Sequence, residues 1–200
     1  MSKVVSRSIV IDADIARSAG ASPDGSGVAK ACRDFLQAVL DICHHAVWTP
    51  EIAGEWKRHA SRFSRKWHVQ MAGRRKLDEL EALPVAGLES RVIAANNPGL
   101  LPDKIIKDMH LVYAAIATGS PIASCDAAIR RRLVKSLPRA TELQPVIWVD
   151  PTDQAAAALD WLKQGAPSDK QRRLDHVAPD STKTPARPSR SSASATSAPK

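Results

Sequence analysis

The chain is predicted to be an α/β protein, a three-layer α/β/α sandwich around a central parallel sheet. Three observations predict this. Short apolar or β-branched runs at residues 8–11, 46–48, 121–125 and 145–149 read as buried strands. Segments of helical period separate them, and strand–helix alternation is what a parallel sheet covered on both faces requires. Acids stand just past three of the strand ends, at Asp12, Asp126 and Asp150.

The elements follow in order. The run S-I-V-I ends at Asp12, with Asp14 two residues on. Residues 19–27 are rich in Gly, Ser, Pro and Asp and read as a loop. A helix over 28–43 carries Val28, Ala31, Cys32, Phe35, Leu36, Val39, Ile42 and Cys43 on one face. After the strand at 46–48, Thr49 and Pro50 read as the N-cap and first turn of the next helix. One continuous helix is expected there, with Ile52, Trp56, Ala60, Phe63 and Trp67 at core spacing. The stretch 57–76 holds eight Lys or Arg and no acid. Residues 84–101 carry no clear period, and 96–99 (N-N-P-G) read as a turn. A helix over 103–118 follows, carrying Asp108 beside an apolar face. The strand at 121–125 leads to a helix over 127–137, and the strand at 145–149 to a last helix ending near 164.

The domain is therefore expected to span 1–164. From 165 to 200 the chain is rich in Ser, Ala and Pro, with seven Lys or Arg against three Asp. Such a segment cannot bury enough surface to offset its ordering entropy, so a disordered basic tail is expected.

A net charge of +8 favours a polyanionic partner, because Lys and Arg displace counterions from phosphates. No long apolar run opens the chain, none spans a bilayer, and the three cysteines lack paired spacing. A cytoplasmic protein without membrane contact is expected. Cys43-His44-His45 lacks a second ligand pair for zinc, and no glycine-rich phosphate loop is present. Cys125 reads as a buried strand cysteine rather than a nucleophile paired with His110.

In a parallel sheet the C-terminal strand ends share one edge, where ligands bind. Asp12 and Asp126 meet there, and Asp14, Glu55 and Asp108 can join them. Taken singly, each acid is equally a helix cap or a solvated charge. As a set they repel one another unless a cation neutralises them, and Mg²⁺ takes oxygen ligands.

The segments I-V-I-D-A-D, T-P-E-I-A-G-E-W, K-D-M-H-L-V-Y-A-A-I-A-T and P-I-A-S-C-D together resemble the PIN-domain ribonucleases, which include the toxins of VapBC-type toxin–antitoxin pairs. The resemblance covers residues 7–137. It implies a metal-dependent endoribonuclease with Asp12, Glu55, Asp108 and Asp126 as catalytic acids. Asp12, Asp108 and Asp126 would be ligands of Mg²⁺ or Mn²⁺. It implies RNA as substrate, a cognate antitoxin and a homodimer as further partners. Asp14 stands where the family often has a small polar residue and reads as an outer-shell acid. Ser124 stands where the family has Ser or Thr and reads as a positioning group. Glu51, one turn before Glu55, competes for the same role; Glu55 is preferred beside Trp56. Arg58, Arg62, Arg65, Arg130 and Arg131 are the expected RNA contacts, and the run Arg130 to Arg132, close after Asp126, reads equally as a grip on substrate beside the metal site or as a solvated helix face. The insert at 64–101 and the tail make the chain longer than a compact toxin of this family.

Two other readings fit parts of the sequence. Asp12-Ala13-Asp14 after a strand matches the DxD of haloacid-dehalogenase-like phosphatases, with Ser124, Lys135 and Asp150 or Asp153 in the remaining roles. That leaves Glu55 and Asp108 idle. A basic RNA-binding module without catalysis is the other.

Overall fold

Ile9, Val10 and Ile11 are all at most 1% exposed. A strand buried on both faces belongs at the centre of a parallel sheet, and β1 (Ser8–Ile11) takes that place. The computed structural model describes residues 5–20, 27–96 and 102–176. With β2 (His45–Trp48), β3 (Leu77–Glu79), β4 (Ile122–Ala123) and β5 (Trp148–Val149), β1 forms one five-stranded sheet in the order β3-β2-β1-β4-β5. Every strand pairing is parallel. The expected three-layer α/β/α sandwich is therefore the fold.

The helices form two layers. In one, α2 (Gly27–Ile42) packs against α4 (Arg62–Gly73) and α8 (Ala155–Lys163), beside α1 (Ala13–Ser18) and α3 (Pro50–His59). In the other, α5 (Leu88–Ala95), α6 (Pro102–Thr118) and α7 (Ala127–Ser136) pack on one another. The apolar face read for α2 is buried through Cys32, Phe35, Leu36 and Val39, and that of α6 through Ile105, Met109 and Val112.

The chain moves outward from β1 through β2 to β3, then crosses back to β4 on the other side of β1. Strand order thus reverses between β1 and β4. Helices leave such neighbouring strands toward opposite faces, which opens a crevice at their C-terminal ends.

Several details differ from expectation. The helix begun at Pro50 breaks at Ala60, whose ψ of 131° is extended. Ser61 then caps α4 by accepting from the Ser64 N–H at 3.2 Å. Serine caps where a hydroxyl satisfies a free helix N–H, and periodicity alone does not register that break. Gly20 sits where α1 meets this junction. A Cβ there would lie 2.1 Å from the Ser61 Cβ, so only glycine fits. Trp56 and Trp67 are core residues, as their spacing implies. Their indole N–H groups donate to the carbonyls of Ile11 and Leu36 at 3.0 and 2.6 Å. Strand β3 and helix α1 are additions to the expected elements; each is short, and β3 is an edge strand with little apolar content.

The domain boundary at 165 lies too early. Residues 165–176 fold back along the edge of the sheet. Ile147 and Arg173 form an antiparallel bridge, the Leu174 N–H donates to the Val146 carbonyl at 2.9 Å, and Leu174 is fully buried. The expected tail beyond 176, most of the loop at 19–27 and most of the turn at 96–99 lie outside the described residues. No helix among the described residues is long and apolar enough to cross a membrane.

Candidate active site

The crevice between β1 and β4 is a cleft of about 470 Å³. Asp12, Asp14, Glu55, Asp108 and Asp126 line it, so the structure brings all four expected catalytic acids and the auxiliary Asp14 together. Arg17, His59, Lys107 and Arg132 line the same cleft.

Each acid is placed by a local device. Asp12 ends β1 and caps α1, its Oδ1 accepting from the Asp14 N–H at 3.1 Å. Asp126 follows β4 and caps α7, its Oδ1 accepting from the N–H groups of Ala128 and Ile129 at 2.8 and 2.9 Å. Each cap engages one carboxylate oxygen. Capping and a place in the cleft are therefore compatible roles for both residues. Glu55 is set by α3, which the Trp56 bond to Ile11 ties to the end of β1.

Ser124 joins three of the acids. Its hydroxyl donates to Asp12 Oδ2 at 2.8 Å, with Asp14 Oδ2 at 3.3 Å, and accepts from the Asp126 N–H at 3.0 Å. Asp14 Oδ2 also accepts from the Cys125 N–H at 2.9 Å, while its Oδ1 is buried with no hydrogen-bond partner among the described residues.

Burial and mutual repulsion govern the charges. Loss of hydration pushes the Asp14 carboxyl up to about 8, helped by the charge of Asp12. Asp108 is raised to about 6, first by burial and then by Asp12, with Glu55 and Asp126 adding to it. Burial likewise raises Asp12. Glu55, 7% exposed, is the acid with close cations. Lys107 Nζ and Arg58 Nη2 lie 3.5 and 3.8 Å from its Oε1, and His110 Nε2 lies 3.6 Å from its Oε2.

These are hard oxygen donors, the chemistry Mg²⁺ or Mn²⁺ takes. The Asp14 oxygen without a partner among the described residues and the raised carboxyls are features that a divalent cation would relieve. Yet no three His, Cys, Asp or Glu side chains among the described residues are gathered closely enough to hold a metal ion. The set fits Mg²⁺ in the manner of an ion that keeps several waters and binds one or two carboxylates.

The expected RNA contacts fare less well. Arg58 reaches Glu55 but lines an adjoining groove with Glu51 and Tyr113. Arg65 lines a separate groove beside Trp48 and His68. Arg130 lines another cavity at the end of β5, and Arg62 and Arg131 are exposed away from the lining of the acidic cleft. The cations at the cleft are instead Arg17, Lys107 and Arg132. Of the run Arg130 to Arg132, read equally as a grip on substrate or a solvated face, Arg132 lines this cleft beside Ala128, four residues before it, and Arg130 and Arg131 do not.

Compared with known proteins, the chain matches no family model, no curated protein and no solved structure.

Proposed function

We propose that the chain is a metal-dependent endoribonuclease of the PIN-domain kind, acting with Mg²⁺ or Mn²⁺. One observation carries the reading. Acids from four distant places in the sequence converge on one cleft at the point where strand order reverses, and burial and their own repulsion raise three carboxyls there. Asp12, Asp108 and Asp126 are the carboxylates from which the ion would take its one or two protein ligands, with water as the rest, and Glu55 completes the acidic set. A divalent cation, when bound, supplies charge that stabilises a phosphoryl group under attack by water.

The chain's own residues do the rest. Ser124 and the α1 cap fix both oxygens of Asp12. The α7 cap fixes one oxygen of Asp126 and leaves the other for the cleft. Lys107, Arg17 and Arg132 put positive charge on the rim, where they hold the phosphates of the strand. Asp14, raised to about 8 by burial and by the charge of Asp12, takes up a proton more readily than an ordinary carboxylate and so lowers the negative charge the cleft must carry. The test is cleavage of single-stranded RNA by the purified chain with Mg²⁺ or Mn²⁺ against EDTA. No cleavage with either metal overturns the proposal.

A second reading is an RNA-binding module without catalysis, for which the arginines and lysines around the cleft suffice. It predicts RNA binding that survives Asp126→Asn with no cleavage by either form. The phosphatase reading gains nothing, since Asp150 and Asp153 line a different cavity. A toxin role with a cognate antitoxin, a homodimer and a cytoplasmic site of action belong to the same proposal. Co-purification with the product of the adjacent reading frame tests the antitoxin, and the solution mass tests the dimer.

A further inference from the structure

At the C-terminal end of β5 lies a second cavity, of about 240 Å³, closed by the segment that folds back after α8. Trp148 lines it, is 2% exposed, and its indole N–H is buried with no acceptor among the described residues. That N–H is all but closed to solvent, so the polar groups an occupant of the cavity meets are those of the exposed lining residues. Gln154 and Gln171 line the same cavity with exposed amides, each both donor and acceptor.

The charges select the kind of ligand. Asp150, Asp153 and Asp169 outnumber Arg130 and Arg172 around the cavity, which repels a phosphate. The volume falls below the roughly 300–1,000 Å³ of pockets that enclose drug-sized ligands, so it suits a single ring system. A neutral planar group with donors and acceptors along one edge meets both conditions, and an unpaired nucleobase is such a group.

The cavity is also in the right place. Ala128 and Arg132 line the acidic cleft from one side of α7, and Arg130 lines this cavity from the other. One helix of about 10–12 Å diameter separates the two. The ends of β4 and β5 are adjacent on the same rim.

We propose that this cavity binds one unstacked base of the RNA strand whose phosphate lies in the acidic cleft, and so sets base preference. The proposal rests on the nuclease reading for its substrate. A first experiment needs no activity. The Trp148 indole N–H resonance, identified by its loss in Trp148→Phe, is followed while free adenosine, cytidine, guanosine or uridine is added to the full chain. A saturable shift with one or two of the four is expected, weakened at least about fivefold in Gln171→Ala, the loss of one base-edge contact. If Trp148→Phe does not fold, the Gln171→Ala comparison across all five indole resonances tests the same contact. Indole resonances unmoved by every nucleoside, or moved only by Mg²⁺, overturn the inference.

A second experiment measures binding of single-stranded RNA to Asp126→Asn while an abasic site is stepped along the strand. One position is expected to weaken binding about tenfold; a uniform response overturns the base site. RNA bound with that one-position dependence but never cleaved by the wild type removes the nuclease reading and leaves the base site. RNA cleaved equally whatever its bases does the reverse.

Discussion

Two polar clusters, one around the single acid Asp78 and one of several acids, belong to the same sheet and are treated in opposite ways. Near the start of β2, Asp78 accepts from the Ser8 hydroxyl and from His45 Nδ1 at 2.7 Å, and Lys76 Nζ lies 2.9 Å from His45 Nε2. Burial pushes the Asp78 carboxyl up, but these hydrogen bonds and charges outweigh it and hold it below the usual range. At the other end of the strands, Asp12, Asp14 and Asp108 are raised by burial and by one another. The first group holds the fold together. The second carries charge that the fold alone does not neutralise, and such conflict is characteristic of functional sites.

The sharpest way to break this contrast is to remove acids from the cleft. Asp126→Asn keeps a capping side chain, so the fold should stand while metal-dependent cleavage drops on the order of 10²–10³-fold or more. Cleavage rates and circular dichroism on the same preparation check this, and retained cleavage would remove Asp126 from the site. Next in size, saturating Mg²⁺ or Mn²⁺ should raise the unfolding midpoint of the wild type. The gain is about 2.7 kcal/mol when metal stands at about 100 times its Kd, and Asp108→Asn should shrink it.

Smaller effects should have opposite signs in the two groups. Without metal, Asp108→Asn should stabilise the chain at pH 7 by roughly 1 kcal/mol, after allowing for the partial exposure of this group. The sign follows from a folded value of about 6 against an ordinary value of 3.8. The favourable contribution of the carboxyl is complete below 3.8 and lost as pH rises through about 6. The advantage of the variant should therefore vanish near about pH 4. Asp78→Asn should instead cost about 1 kcal/mol at pH 7. Urea unfolding of both variants in EDTA checks the pair, and two shifts of the same sign would dissolve the contrast.

The smallest effect concerns His44, beside the Asp78 group. Its Nδ1 accepts from the Arg7 N–H at 3.0 Å and its Nε2 donates to the Leu162 carbonyl at 2.9 Å, so it is neutral. Burial holds it below its ordinary 6.5. The unfolded chain then binds the proton more readily, and stability present above pH 6.5 is lost as pH falls below it. His44→Gln should flatten the acid side of the stability curve, which urea unfolding across that range checks.

Much of this was legible in the sequence because it rests on local rules. Strand β1 announced itself as a β-branched run ending in an acid, and Thr49-Pro50 as a helix start. Asp12 and Asp126 were readable together because strand ends of a parallel sheet share a rim, whereas Glu55 and Asp108, which lie on helices, joined them through the resemblance to PIN-domain ribonucleases. Where the basic residues lie was not legible, because a run of eight cations says nothing of direction. Helical rotation sends Arg62 and Arg65 elsewhere and brings Arg132 to the cleft. Strand β3 and the segment 165–176 were invisible because their order comes from edge pairing and one buried leucine, not from their own pattern.

By itself, then, the sequence determined the layers, a buried first strand and which acids stand at strand ends, since periodicity and capping act over a few residues. The tertiary structure decided the strand order, the crevice between β1 and β4, the partners of each carboxylate and the second cavity at β5. Those depend on contacts between residues far apart in the chain, and the energies that matter there, burial and charge repulsion, exist only once the chain has brought the groups together.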